Sequence, residues 1–184
     1  MGLLGHCAVG MAAKPVTPKV PLAVLLVATV ILDILAIAFG FAGIEGAKTG
    51  IPWSHGLFMS VIWSVAAALL GARIFRDYRA GAVIGLLVFS HWVLDLISHP
   101  IPFPSFSWRT SRWSFGHPLP PDLPLLFNGS PKVGLGLYNS ISAIDATVLE
   151  LGMFILGAAF YATYIVKSRK SRRVMPQSRA RQSV

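Results

Sequence analysis

The sequence predicts an all-α polytopic membrane protein, a bundle of four transmembrane helices with one long outer loop. Three observations carry this. Hydrophobic residues make up 54% of the 184 and charged ones only 12%. The mean hydropathy is +0.66. The apolar residues fall into four runs, each of about the 20 residues needed to cross the hydrocarbon core. The charge balance, 16 Lys and Arg against 7 Asp and Glu for a net +9, is compatible with nucleic acid in isolation. Its distribution argues against that partner, because the basic residues sit between and after the apolar runs, where they set membrane orientation. The expected partner is the lipid bilayer, with no nucleic acid. The single cysteine, Cys7, excludes an intrachain disulfide and any Cys-based metal site. Leu4-Gly5-His6-Cys7 faintly resembles a lipoprotein box, but no apolar stretch precedes it, so lipidation is rejected. Met11 is an alternative start.

In chain order, residues 1–20 carry Lys14, Lys19, Pro15 and Pro18 and read as a flexible basic arm. Residues 21–166 read as the integral membrane domain. Its first span, 21–44, is apolar except for Thr29 and Asp33 and is followed by Glu45. Ser54 is the expected N-cap of the second span, 55–72, which opens on His55. Arg73, Arg76 and Arg79 with Asp77 form a basic turn before the third span, 81–98, in which Gly81 and Gly85 permit close helix contact. An outer loop, 99–140, is crowded with proline and aromatics, and loops of that length are usually functional or disordered. The last span is expected at 141–166, with 133–140 as an interfacial lead-in, and 167–184 as a disordered basic tail.

Orientation follows from the positive charge. Lys14/Lys19, Arg73/Arg76/Arg79 and the tail fall on one side of a four-span chain, which the positive-inside rule makes cytoplasmic, with both termini inside. The charge thus sets which side of a membrane is cytoplasmic. At 1.5 Å per residue, Asp33, His91 and Glu150 then lie roughly 10–12 Å below the outer surface, with His55, Asp95, His99 and Asp145 nearer to it. Seven ionisable groups therefore fall in one layer. Within the third span His91, Asp95 and His99 are four residues apart, and each turns only about 40° from the last, so they share one stripe. Ionisable residues in a span are costly and usually face a partner, a cavity or an ion.

Imidazoles and carboxylates without thiolate make a nitrogen/oxygen ligand set, suited to Zn²⁺ first and to Mn²⁺ or Fe²⁺ as alternatives. The candidate ligands are His55, His91 and Asp95, with His99 as fourth ligand or general base and Asp33 orienting a histidine from behind. Glu150 is a weaker proton-relay candidate. The structural alternative is that Asp33–His91 and Glu150–His55 are interhelical hydrogen-bonded pairs, contributing ~0.6 kcal/mol each. His99, before Pro100, also serves simply to end a helix. Trp108 and Trp113 suit interfacial anchors, Arg109 and Arg112 solvated loop charge, and His117 and Asp122 an ordered turn rather than a lid.

Trp53-Ser54-His55-Gly56-Leu57, Phe89-Ser90-His91-Trp92-Val93-Leu94-Asp95 and Pro131-Lys132-Val133-Gly134-Leu135-Gly136-Leu137-Tyr138-Asn139-Ser140 resemble a group of uncharacterised bacterial inner-membrane proteins. With Leu32-Asp33 and Gly43-Ile44-Glu45 the resemblance covers about residues 22 to 166. More remotely the chain is similar to the predicted membrane-bound metal-dependent hydrolases. Their pattern has an acidic first helix, a His-Arg-Gly-x-Thr-His-Ser element and a later Ser-His-x3-Asp. Ser54-His55-Gly56-Leu57-Phe58-Met59-Ser60 stands at the second element with one histidine, and Met59 replaces the other.

The resemblance implies a metal-dependent hydrolase, with the bacterial inner membrane as its location. Joined to the polar layer, it gives the leading expectation: hydrolysis of an ester or phosphoester of a lipid or envelope molecule at the outer face of the membrane. The rival is a small permease or proton- or ion-handling protein, working as a homo-oligomer because four spans make a thin transporter. A third reading is a non-catalytic module whose basic tail recruits a partner.

Overall fold

The computed structural model describes residues 3–45, 53–98, 104–107, 112–115 and 141–180, the two short segments and 172–180 by backbone alone. Five helices occur among them: α1 (Leu3–Ala13), α2 (Leu22–Phe41), α3 (Leu57–Phe75), α4 (Tyr78–Ser98) and α5 (Ala143–Ala180). Helices α2 to α5 are long and apolar enough to cross a membrane, in agreement with the four-span reading. Between α4 and α5 the strands β1 (Pro104–Ser107) and β2 (Arg112–Phe115) pair antiparallel, Pro104 opposite Phe115.

Helices α3 and α4 form the closest pair. Gly71 of α3 and Gly81 and Gly85 of α4 lie where the helices touch, and a methyl group on Gly81 would stand 2.7 Å from the Ala72 side chain. Such small residues let backbones approach where the hydrophobic effect offers no drive. The turn between the two helices is made by Arg76, whose φ of 50° is left-handed. Asp77 then caps α4 by accepting hydrogen bonds from the Arg79 and Ala80 amides (2.9 and 3.3 Å). The core runs along the contact of α2 with α4, through Leu25, Ala28, Leu32, Ile84, Leu87 and Val88.

The structure corrects the two ends of the chain. Residues 3–13, expected to be flexible, form α1, which packs against α2, α4 and α5. The cause is its small residues. Gly10 lies against the Leu25 carbonyl, and Ala8 meets Gly157 of α5 so closely that a Cβ on that glycine would come within 2.7 Å of the Ala8 Cα. The prolines of the supposed arm sit in the turn that reverses the chain into α2, where Lys14 donates to the carbonyls of Pro18 and Val20. At the other end, α5 carries straight through the expected tail as far as Ala180, since Lys and Arg are good helix formers.

Candidate metal centre

Three separate elements bring the polar groups together where α2 ends and α3 begins. Asp33 lies on α2, two-thirds of the way along it. His55 lies in the turn leading into α3, and His91 and Asp95 on the same face of α4. His91 is fully buried and Asp95 almost so, whereas the Asp33 side chain is 49% exposed. The stripe predicted on the third span is therefore real as far as Asp95. His99 lies outside the described residues, as do His117 and Asp122. Asp145 is engaged elsewhere, in a capping pair with Ser142 at the start of α5 (2.8 and 3.1 Å). Glu150 lies on α5, outside the groups of potential ligands that come together.

The protonation of the two imidazoles can be derived from their outer nitrogens. His91 Nδ1 is 2.7 Å from the Thr29 carbonyl oxygen. A carbonyl only accepts, so Nδ1 carries the proton. His55 Nδ1 is 2.7 Å from Ser54 Oγ, which is 2.7 Å from Glu45 Oε1. With Glu45 ionised, the serine hydroxyl donates to the carboxylate and accepts from His55 Nδ1–H. The Ser54 amide donates to the other carboxylate oxygen, 3.0 Å away. Burial pushes the Glu45 carboxyl above the ordinary carboxylate range, and the Ser54 bonds and the nearby His55 pull it partly back. Ser54 is thus not the N-cap of α3. Gly56 takes that position, and the serine side chain is committed to the histidine instead.

In their neutral form both imidazoles therefore turn an Nε2 lone pair inward, and the two Nε2 atoms lie 3.2 Å apart. Two acceptors facing each other repel unless a cation, either a proton or a metal ion, stands between them. Asp33 Oδ1 is 3.4 Å from each of the two. These three atoms form a triangle with edges of 3.2, 3.4 and 3.4 Å. Ligands held about 2.0–2.1 Å from a tetrahedral metal are separated by roughly 3.3–3.4 Å. The triangle has the size of one face of such a site. Asp95 Oδ2, 3.1 Å from His91 Nε2 and 3.9 Å from His55 Nε2, stands near the next corner.

Asp33 lies in the ligand triangle itself. The positions behind the histidines, where sequence reasoning put it, are taken by the Thr29 carbonyl and Ser54. That reasoning also missed His6 of α1, which is buried, stacked on His91 with ring centroids 4.0 Å apart, and 3.2 Å from Asp95 Oδ1. The signal was an apolar stretch around one histidine, Leu3 to Ala13, with glycine or alanine at positions 5, 8, 10, 12 and 13. Among the described residues the His and Asp groups fall into two overlapping sets that could hold a metal ion, the partly buried Asp33–His55–His91 and the buried His6–His91–Asp95. The chain matches no family model, no curated protein and no solved structure.

Proposed function

We propose that this is a membrane-bound, metal-dependent hydrolase whose centre is held by Asp33, His55 and His91, with Asp95 beside them. The observation that carries the reading is the triangle of His55 Nε2, His91 Nε2 and Asp33 Oδ1, which has the size of one face of a tetrahedral site. A nitrogen- and oxygen-only set with two histidines suits Zn²⁺, with Mn²⁺ and Fe²⁺ as alternatives. Such an ion lowers the pKa of a coordinated water to about 7 and so supplies a nucleophile at neutral pH.

The residues of the chain do the rest. Thr29 and the Ser54–Glu45 pair fix the tautomer and the tilt of the two imidazoles. Asp33, half exposed, marks the side from which water and substrate reach the centre. Asp95, almost fully buried, sits where its charge is screened least. The substrate class favoured is an ester or phosphoester of a lipid or envelope molecule, since a centre within spanning helices meets substrates that partition into the bilayer. The positive-inside distribution supports an outer-face position for the centre, with Lys14, Lys19 and the basic C-terminal tail cytoplasmic, and the resemblance to bacterial inner-membrane proteins supports that membrane. The similarity to predicted membrane-bound metal-dependent hydrolases supports the reaction class.

A second reading rests on a separate observation. The chain of contacts from Glu45 through Ser54 to His55 is a hydrogen-bonded wire ending at the same pair of imidazoles. If the cation between them is a proton, the wire belongs to a permease or proton-handling protein. Metal analysis of detergent-purified protein separates the two. The hydrolase reading expects near-stoichiometric Zn, Mn or Fe in the wild type, none in a His91→Ala/Asp95→Ala variant, and metal-dependent cleavage of p-nitrophenyl ester or phosphoester probes. A metal-free wild type that stays metal-free after reloading overturns it in favour of the proton reading.

A further inference from the structure

His6 has no part in the site as assembled so far, yet the fold spends a whole element on placing it. Helix α1 has 11 residues, too few to span a bilayer. It is held by backbone-close contacts of Gly10 with α2 and of Ala8 with α5. The result is an imidazole only 1% exposed, with its Nε2 3.2 Å from Asp95 Oδ1. That approach is not directed as a hydrogen bond, and neither ring nitrogen of His6 has a hydrogen-bond partner among the described residues. Buried polar atoms in native proteins are nearly always satisfied, so a buried ring whose Nδ1 has no partner and whose Nε2 meets only the Asp95 carboxylate, off axis, points to a ligand. A nitrogen and an oxygen that lie close without aiming at each other are placed as two ligands of a common third body are placed.

The third body cannot be the ion of the Asp33–His55–His91 face. An imidazole donates in its own ring plane. The planes of His55 and His91 cross at 63° with the two Nε2 atoms 3.2 Å apart, so a single ion near that crossing can lie in both planes. His6 and His91 are stacked at 14° with centroids 4.0 Å apart, so their lone pairs lie in two nearly parallel planes. Lone pairs held in two such planes favour two ion positions over one, and the planes are at most 4.0 Å apart, comparable with the about 3.5–4 Å between the metals of two-metal hydrolytic sites. Asp95 spans the same gap, because Oδ2 faces His91 at 3.1 Å and Oδ1 faces His6 at 3.2 Å.

We propose that the centre takes two divalent transition-metal ions bridged by the Asp95 carboxylate: one on Asp33, His55, His91 and Asp95 Oδ2, the other on His6 and Asp95 Oδ1. The proposal rests on the metal reading given above and adds the second ion and the role of α1. With fewer protein ligands the second ion is the weaker bound, and it is the one more open to exchange with a substrate phosphate or carbonyl oxygen.

The test is Mn²⁺ titration of the full chain in detergent. Bound metal is read by plasma mass spectrometry after removal of free ion, and electron paramagnetic resonance is recorded on the loaded samples. The wild type should bind two Mn²⁺ per chain and show an exchange-coupled spectrum. His6→Ala should bind one and show the six-line signal of an isolated ion. His6→Gln, which keeps the volume and polarity of the side chain if the alanine variant does not fold, should behave as His6→Ala does. A wild type that saturates at one uncoupled ion, or a His6 variant that still binds two, overturns the second site while leaving the hydrolase reading standing. No bound Mn²⁺ in the wild type overturns both.

Discussion

Helices α4 and α5 are nearly equal in the property that identifies a membrane span and opposite in how they are used. Their apolar windows have mean hydropathies of 1.9 and 1.7, yet 44% of the first is buried inside the protein and 6% of the second. Helix α4 packs on α1, α2 and α3, whereas α5 rests on α1. Hydropathy measures compatibility with hydrocarbon, and lipid tails and protein interior are alike in that respect. What separates the two helices is the residues that lipid would not choose. Gly81 and Gly85 bring α3 to backbone distance, and His91 and Asp95 need polar partners that only other helices provide.

The largest effect that would break this contrast is steric. Gly81→Leu forces a side chain against Ala72, and Gly85→Leu forces one against the Ser64 carbonyl, where even a Cβ would be 2.7 Å from each. Overpacking costs of 1–3 kcal/mol or more are expected, with early loss of the folded fraction in mixed-detergent unfolding. Gly152→Leu on α5, where nothing lies within 4 Å of an added Cβ, should stay within about 0.5 kcal/mol of wild type. Equal destabilisation by Gly81→Leu and Gly152→Leu would mean that α5 is a packed helix after all.

Next in size come the losses expected at the proposed metal centre. His91→Ala removes a proposed ligand that faces Asp33, His55 and Asp95 together, and should lower metal affinity by more than about 100-fold. Ser54→Ala leaves every ligand in place and frees only the outer nitrogen of His55, so the expected loss is about 10–100-fold, seen by competition with a chromophoric chelator. A Ser54→Ala affinity equal to wild type would make the Glu45–Ser54–His55 chain a structural tether and weaken the second-sphere account. Ile155→Ala, on the exposed part of α5, should leave affinity unchanged.

The spans were legible because length and hydropathy alone set them, and the stripe on α4 because a four-residue repeat fixes a helix face whatever surrounds it. Asp33, His55, His91 and Asp95 were legible as one layer, since counting residues along alternating spans gives depth. The partners of the outer nitrogens were not. The Thr29 carbonyl is a backbone atom common to every residue, and Ser54 sits where serine ordinarily caps a helix. His6 was hidden for a different reason: charged and proline residues at positions 14–21 suggested a loose arm, while the glycine and alanine spacing that lets α1 dock gives only a weak hydropathy signal.

The smallest predicted effect concerns Glu45, at the point where α2 gives way to the site. Burial holds its carboxyl above the ordinary value of 4.5, so the folded state binds this proton more tightly than the unfolded chain does. By linkage, the stability it contributes is complete below that ordinary value and is lost as pH rises through the raised one. Glu45→Gln carries no titrating group and lacks this term. The wild type's stability advantage over Glu45→Gln should therefore be greater at pH 4 than at pH 8 in parallel thermal melts of apo protein. An advantage that grows with pH would mean that the ionised carboxylate, bonded twice to Ser54, is the favoured form in the fold. The hydrogen bonds would then outweigh burial at this position, and the contrast between polar residues sheltered by helices and apolar ones left to lipid would extend beyond the spans into the turn that joins them.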